Sequence, residues 1–271
     1  MATPQIIVAK TYRLCNKIGE GSFGKIFLAK KKDAVSEERH DYAIKLVTDK
    51  NMWANELSNY QQLQGVKQVP FIHASGTEGK FHYIVMDLLE QNLEQLQSTF
   101  NTSLSLKVIL HLGVQMVDIL EEIHERGILH RDIKPSNFLL KTNTEGISQL
   151  YLIDFGLSSN AVNNKMKTDE PFIGTPRYMS VASQQGLTAG RRDDLESVGY
   201  ILIFLQKGCL PWQSAPGDMA LPIKQTFDGS YSKLICGEFI LFIQYCRNLP
   251  FSKKPNYDYL RGLLKNLSSI L

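Results

Sequence analysis

Up to about residue 90 the apolar positions fall in short runs with a two-residue rhythm. Tyr42, Ile44 and Leu46 interleave with Ala43, Lys45 and Val47, the alternation that sends successive side chains to opposite faces of a strand. Residues 26–28 and 83–86 are further apolar runs of strand length, and residues 12–18 and 25–29 also read as strands. One helix is predicted in this part, over residues 52–64. Beyond Ser103 the rhythm changes: Leu110, Val114, Val117, Leu120 and Ile123 recur every three or four residues, the stripe of a helix with one buried face. A second apolar helix is predicted over residues 195–205, opened by Asp194. The pattern predicts an α+β chain, a small sheet-rich part followed by a larger, mainly helical one. The seam falls at Asp87-Leu88-Leu89-Glu90, which contains no Gly/Ser linker, so the two parts are expected to stay packed.

With 271 residues and 43% hydrophobic side chains, the chain has enough apolar surface for a large core and lies near the size at which a core divides. A formal charge of +3, from 30 basic and 27 acidic residues, lacks the basic excess of a dedicated nucleic-acid binder. Cys15, Cys209, Cys236 and Cys246 are far apart with no C-x-x-C pair, so neither a zinc site nor a redox pair is expected. No apolar stretch nears the roughly 20 residues of a membrane span. The opening Met1-Ala2-Thr3-Pro4-Gln5 lacks the features of a signal peptide. A soluble, intracellular protein, cytoplasmic or nuclear and monomeric, is the expectation. The polar stretch from Lys30 to Asp41 reads as a solvated turn.

Candidate chemistry begins at Gly19-Glu20-Gly21-Ser22-Phe23-Gly24, set between two predicted strands. Glycines at this spacing let backbone amides approach phosphates without a Cβ in the way. A dinucleotide fold would continue into a helix, and this chain continues into a strand. Lys45 lies on a strand from which an ammonium can neutralise phosphate oxygens, and Glu56, on the predicted helix, can reach back to hold it. Read as an exposed ion pair, Lys45 and Glu56 would contribute only about 0–1 kcal/mol and serve positioning. The densest signal is His130-Arg131-Asp132-Ile133-Lys134-Pro135-Ser136-Asn137, followed by Asp154-Phe155-Gly156. Asp132 can accept the proton of an attacking hydroxyl, and Lys134 can stabilise charge on a transferred phosphoryl group. Asn137 and Asp154 offer hard oxygen ligands for magnesium. Together these supply alignment and charge neutralisation, the two requirements of a loose phosphoryl-transfer transition state.

Over residues 10–267 the chain resembles a eukaryotic protein kinase domain, and several segments resemble the casein kinase I family. These are D-I-K-P-S-N-F-L from residue 132, G-T-P-R-Y from 174, R-R-D-D-L-E-S-V-G-Y from 191, L-P-W-Q from 210 and K-P-N-Y from 254. Ser180-Val181-Ala182 stands where most kinases have A-P-E, a departure the casein kinase I branch shares. The resemblance implies a single bilobal catalytic domain with an antiparallel N-lobe sheet over residues 1–87, a hinge at 87–90 and a helical C-lobe over 91–271. It implies ATP and Mg2+ as cofactors and protein Ser/Thr hydroxyls as acceptors, since Lys134 two residues beyond Asp132 matches the serine/threonine pattern. ATP contacts are implied for Ile18, the glycine loop from Gly19 through Gly24 with Glu20, Ser22 and Phe23, and Ile26, Ala43, Lys45, Leu139 and Ile153. Met86 is implied as gatekeeper, and the backbone of Asp87, Leu88 and Leu89 as the adenine partner. Asp194 is assigned to buttress the catalytic loop, although a capping role explains it equally well.

The family's preference for acidic or pre-phosphorylated substrates uses a basic pocket that includes the arginine of G-T-x-R-Y, here Arg177. The lysine-rich stretch that usually completes the pocket, and can carry a nuclear signal, is shorter here and has only Lys224 and Lys233 between residues 214 and 237. Arg177 therefore either binds an anion or pairs with a neighbouring acid. The family is generally active without activation-segment phosphorylation, so constitutive activity is expected, with Thr168 and Thr175 as modifiable positions. With no tail following, no inhibitory extension in cis is expected. Two other readings stay open: a pseudokinase that binds partners, against which the complete catalytic set argues, and a small-molecule kinase, against which G-T-P-R-Y and R-R-D-D-L-E-S-V-G-Y argue.

Overall fold

The computed structural model describes residues 6–21, 24–32, 41–99, 104–146, 148–160, 166–215, 219–228 and 235–270. Ser22 and Phe23 of the glycine loop, and Lys233, lie outside the described residues. The chain divides into two compact units, one running to Glu90 and taking in Ile153–Gly156, the other holding Gln91–Leu152 and the residues from Leu157 onward.

The first unit is an antiparallel sheet with one helix. Its strands are β1 (Ile7–Val8), β2 (Tyr12–Gly21), β3 (Gly24–Lys31), β4 (Asp41–Val47), β5 (Ile72–Glu78) and β6 (Phe81–Asp87), in the order β1-β2-β3-β4-β6-β5. The alternation in β4 sorts its two faces. Tyr42 and Ile44 join a buried cluster with Val8, Tyr12, Ala29, Tyr83 and Val85, with Leu46 packed against it, while Ala43 and Lys45 face the other way. Helix α1 (Lys50–Gln62) begins two residues before its predicted start because Asp49 caps it, accepting from Asn51 N and Met52 N. It ends where Leu63, only 1% exposed, turns inward.

In the second unit, α2 (Leu93–Thr99) and the long α3 (Leu106–Glu125) come first, then β7 (Ile128–Leu129), the hairpin β8 (Phe138–Thr142) and β9 (Ser148–Leu152), and β10 (Ser159–Asn160) paired with β7. The helices α4 (Val181–Gln184), α5 (Arg191–Lys207), α6 (Ala220–Thr226), α7 (Gly237–Asn248) and α8 (Tyr257–Ile270) follow. The stripe read from the sequence is the buried face of α3: Leu110, Val117, Leu120 and Ile123 are 0–1% exposed, each stabilising by about 1.5–3 kcal/mol relative to exposure. Val114 is half-buried. Helix α5 starts at Arg191, so Asp194 lies within it. The capping role belongs to Asp193, whose Oδ2 accepts from Gly190 N at 2.7 Å. All four cysteines are free thiols. Among the described residues no helix is long and apolar enough to cross a membrane.

Candidate active site

The sequence-predicted residues form two groups, one in each unit. In the first unit the glycine segment is the end of a hairpin, with Gly21 paired to Gly24, Glu20 to Lys25 and Gly19 to Ile26. A Cβ at Gly24 would collide with the Leu46 carbonyl, so packing alone demands glycine there. Gly21 differs, because a Cβ there would meet nothing within 4 Å. The protein does not require glycine at Gly21, which suits a position kept bare for a ligand's approach. Directly opposite residues share a sheet face, so the register Ile26–Lys45 and Ala43–Met86 puts Gly19, Ile26, Ala43, Lys45 and Met86 on one face. Ile18 is 49% exposed, and the Glu20 carboxylate takes a hydrogen bond from Lys17 Nζ at 2.6 Å. Asp87 N donates to Phe71 O at 3.2 Å, so of the three predicted hinge residues, Asp87 has its amide engaged within the protein.

Lys45 Nζ donates to Glu56 Oε1 at 2.7 Å and to Asp154 Oδ1 at 2.8 Å. The pair is not the exposed one read from the sequence: Lys45 is 6% and Glu56 2% exposed. Burial works against the Lys45 charge, but Glu56 and Asp154 outweigh it and hold its pKa above the ordinary lysine value. Loss of one charge-assisted bond at about 1.5–3 kcal/mol corresponds to about ten- to a hundredfold in rate. In the phosphate-transfer reaction expected from the sequence, Glu56→Ala, which removes that acceptor, should lower kcat/KM by that factor, with thermal unfolding as the check that the helix persists.

Helix α1 also holds the Asp154-Phe155-Gly156 turn, through residues the sequence reading missed. Asn55 Nδ2 donates to Gly156 O at 2.9 Å, Asn59 Nδ2 donates to Phe155 O at 3.0 Å, and Asp154 N donates to Tyr60 Oη at 3.1 Å. Asn55 and Asn59 are one turn apart, and an i, i+4 pair of amides on an otherwise ordinary helix was the available signal. Asp154 itself adopts φ 67°, a left-handed conformation that non-glycine residues hold only when their surroundings impose it.

The second unit carries the His130-Arg131-Asp132 loop. Asp132, 5% exposed, has both carboxylate oxygens engaged: Oδ1 accepts from Thr175 Oγ1 at 2.7 Å and Oδ2 from Lys134 Nζ at 2.6 Å. Its carbonyl accepts from Asn137 Nδ2 at 2.9 Å, which leaves the amide oxygen of Asn137 as the hard donor. The Thr175 hydroxyl, read as a modifiable position, is thus committed to the carboxylate predicted to be the base. Leu139, on β8, forms an isolated bridge with Asn92.

Beneath this loop lies Asp194, fully buried on α5. It accepts from His130 N and Arg131 N at 2.9 Å each, and His124 Nε2 lies 2.9 Å away. These bonds support Arg131 at φ 66°, and they make Asp194 the buttress the sequence reading assigned. A carboxylate only accepts, so the His124 proton resides on Nε2; its Nδ1 faces the Tyr257 hydroxyl at 2.8 Å. Burial would raise the Asp194 pKa, but His124 and His130 together outweigh it and hold the carboxyl below its ordinary value. Neither His124 nor Tyr257 was singled out in the sequence.

Gly174 has φ +109° and lies so close to the His130-Arg131-Asp132 loop that a Cβ would come within 2.6 Å of Arg131 O, so G-T-P-R-Y can begin only with glycine. Among the described residues no carboxylate pairs with Arg177; its carbonyl accepts from Trp212 Nε1 at 2.8 Å. Lys224, one of the two lysines in the shortened stretch after L-P-W-Q, is fully buried and so does not join Arg177 in a surface anion pocket. In place of A-P-E, Ser180 donates to Asp193 Oδ1 at 2.6 Å and Val181 N to Glu196 Oε1 at 3.3 Å. A family model, protein kinase domain, matches residues 12–256.

Proposed function

This chain belongs to the protein kinase domain family, and from that premise we propose that it is a casein kinase I-like serine/threonine kinase that uses ATP and magnesium. The observation that carries the reading is the Asp132 carboxylate, fixed by Thr175 on one oxygen and by Lys134 on the other. A base held this way is oriented before the acceptor arrives. In the proposed reaction the acceptor oxygen forms a bond to the γ-phosphorus of ATP and the β,γ-bridging bond breaks to release ADP. The acceptor proton passes to Asp132. Lys45, kept charged and straight by Glu56, serves the phosphate oxygens, and the bare Gly21 edge admits them. Asn137 through its amide oxygen and Asp154 through its carboxylate are each proposed as a magnesium ligand, and the ion when bound would neutralise phosphate charge.

Activity without phosphorylation is supported by the ties on residues 167–170. Thr188 N donates to Lys167 O at 3.1 Å, Glu170 N to Gly186 O at 3.0 Å and Lys167 N to Thr188 Oγ1 at 2.8 Å, which anchors the segment through the protein's own groups. With Lys224 buried, Arg177 is the basic residue of the sequence-predicted pocket that remains among the described residues. One exposed ion pair is worth about 0–1 kcal/mol, so the expected preference for a phosphoserine-primed or acidic peptide over an unprimed one is under about tenfold. The test is magnesium-ATP-dependent transfer to matched unprimed, acidic and primed peptides, with Asp154→Ala as control. Transfer lost in the control supports the kinase. A hundredfold primed preference sinks the weak-pocket reading, and nucleotide binding without transfer to any peptide favours the pseudokinase alternative.

A further inference from the structure

Lys224 lies on α6 with 0% of its surface exposed, a costly position for a cation unless its donors find partners. Its Nζ donates to Pro176 O at 2.6 Å, Met179 O at 2.8 Å and Gln184 Oε1 at 3.0 Å, and stands 5.4 Å from the ring centroids of both Tyr200 and Trp212. Between the two carbonyls, Arg177 O is taken by Trp212 Nε1 at 2.8 Å. The carbonyls of residues 176, 177 and 179 are thus anchored by one lysine and one tryptophan. The residue that starts this segment, Thr175, holds Asp132 Oδ1.

We propose that Lys224 is a positioning residue for phosphoryl transfer: its ammonium sets the path of residues 175–179 and, through Thr175, keeps the Asp132 carboxylate aimed at the acceptor hydroxyl. The proposal rests on the kinase reading above and adds a control of the same site.

The chemistry of the clamp requires the charged form. Three acceptors surround Nζ, and an ammonium has three N–H groups. A neutral amine has two and a lone pair, which would face a carbonyl oxygen. The ionisable groups facing Lys224 are Glu196 and Tyr200 from α5 and Arg247 from α7. Glu196 is itself engaged by Arg247 Nε at 2.9 Å and by the Tyr200 hydroxyl, and Arg247 Nη2 donates to Lys224 O at 2.8 Å. Burial, opposed by Glu196 and reinforced by Arg247, brings the Lys224 pKa down to about 7. The amine is charged below that value and neutral above it, so the clamp is complete on the acid side and loosens as pH rises through about 7.

In the full chain, Lys224→Met is expected to lower peptide kcat at pH 6.5 by at least about tenfold, the loss of one charged hydrogen bond, with KM for ATP within about twofold. Wild-type kcat is expected to fall as pH rises through about 7, and the variant should lack that limb. A folded Lys224→Met with unchanged kcat, or a wild-type profile flat from about pH 6 to 9 around that pKa, overturns the proposal. If Lys224→Met does not fold, Gln184→Met carries the test. It removes one acceptor of the ammonium, so its alkaline limb must move to lower pH, and an unmoved limb overturns the proposal. A wild-type protein that transfers no phosphate at any pH, indistinguishable from Asp132→Asn, overturns instead the kinase reading on which the proposal rests.

Discussion

Replacing Asp132 by Asn is expected to lower kcat for peptide phosphorylation by about 10²–10⁴-fold, the usual contribution of a positioned general base. The amide has nearly the same shape, so the backbone bond from Asn137 to the carbonyl of residue 132 survives. The proton acceptor does not, and the variant's NH2 would face the Lys134 ammonium or the Thr175 hydroxyl, both of which now donate to a carboxylate. KM for ATP should change little, since no nucleotide contact is assigned to this residue. Steady-state kinetics at saturating ATP, with a melting curve to confirm folding, decide it. A kcat within about tenfold of wild type would mean that the carboxylate is dispensable.

Asp194→Asn is expected to destabilise the protein by about 1–3 kcal/mol, the cost of leaving a buried donor without its acceptor, and to lower kcat as well. Asp194 accepts from two consecutive backbone amides and from His124. An asparagine amide brings its own donors against those donors, leaving His130 N or Arg131 N without an acceptor. The left-handed turn at Arg131 then loses its support, and with it the aim of Asp132, the next residue. Because the folded pKa of Asp194 lies below its ordinary value, its stabilisation is present above the usual carboxylate range, near pH 4, and disappears as pH falls through the folded pKa. Thermal unfolding from about pH 3 to 7 should therefore show a smaller acid-side slope in the variant. A variant that melts within about 2 °C of wild type at pH 7 would show that the buttress is not a stability element.

The elements most legible in the sequence were those with a strong period. The α3 stripe was correct because burial of one helix face writes itself directly into the spacing of apolar residues. The α1 boundaries were off by two residues at each end, because the start is decided by the Asp49 side chain and the end by Leu63 packing inward. A cap and a buttress fit the letter of Asp194 equally well, and the start of α5 at Arg191 places it inside the first turn and leaves the capping role to Asp193. Glu56 was matched with Lys45 from order along the chain, but its burial, and so its energetic weight, was invisible.

What the sequence by itself determined is the chemistry on offer: bare backbone at Gly19 and Gly21, a strand lysine, and a loop carrying Asp132, Lys134 and Asn137. Such motifs are short, and their spacing is set by local geometry. Only the tertiary structure decided which neighbours, tens of residues away, tune those groups: Asn55, Asn59 and Tyr60 behind Asp154, His124 and Tyr257 behind Asp194, and Lys224 behind residues 175–179. The physical reason is that burial and hydrogen-bond partnership belong to the folded arrangement rather than to residue type. A lysine near a predicted surface pocket and a fully buried lysine with three acceptors read identically as a letter, and only packing separates an anion site from a clamp.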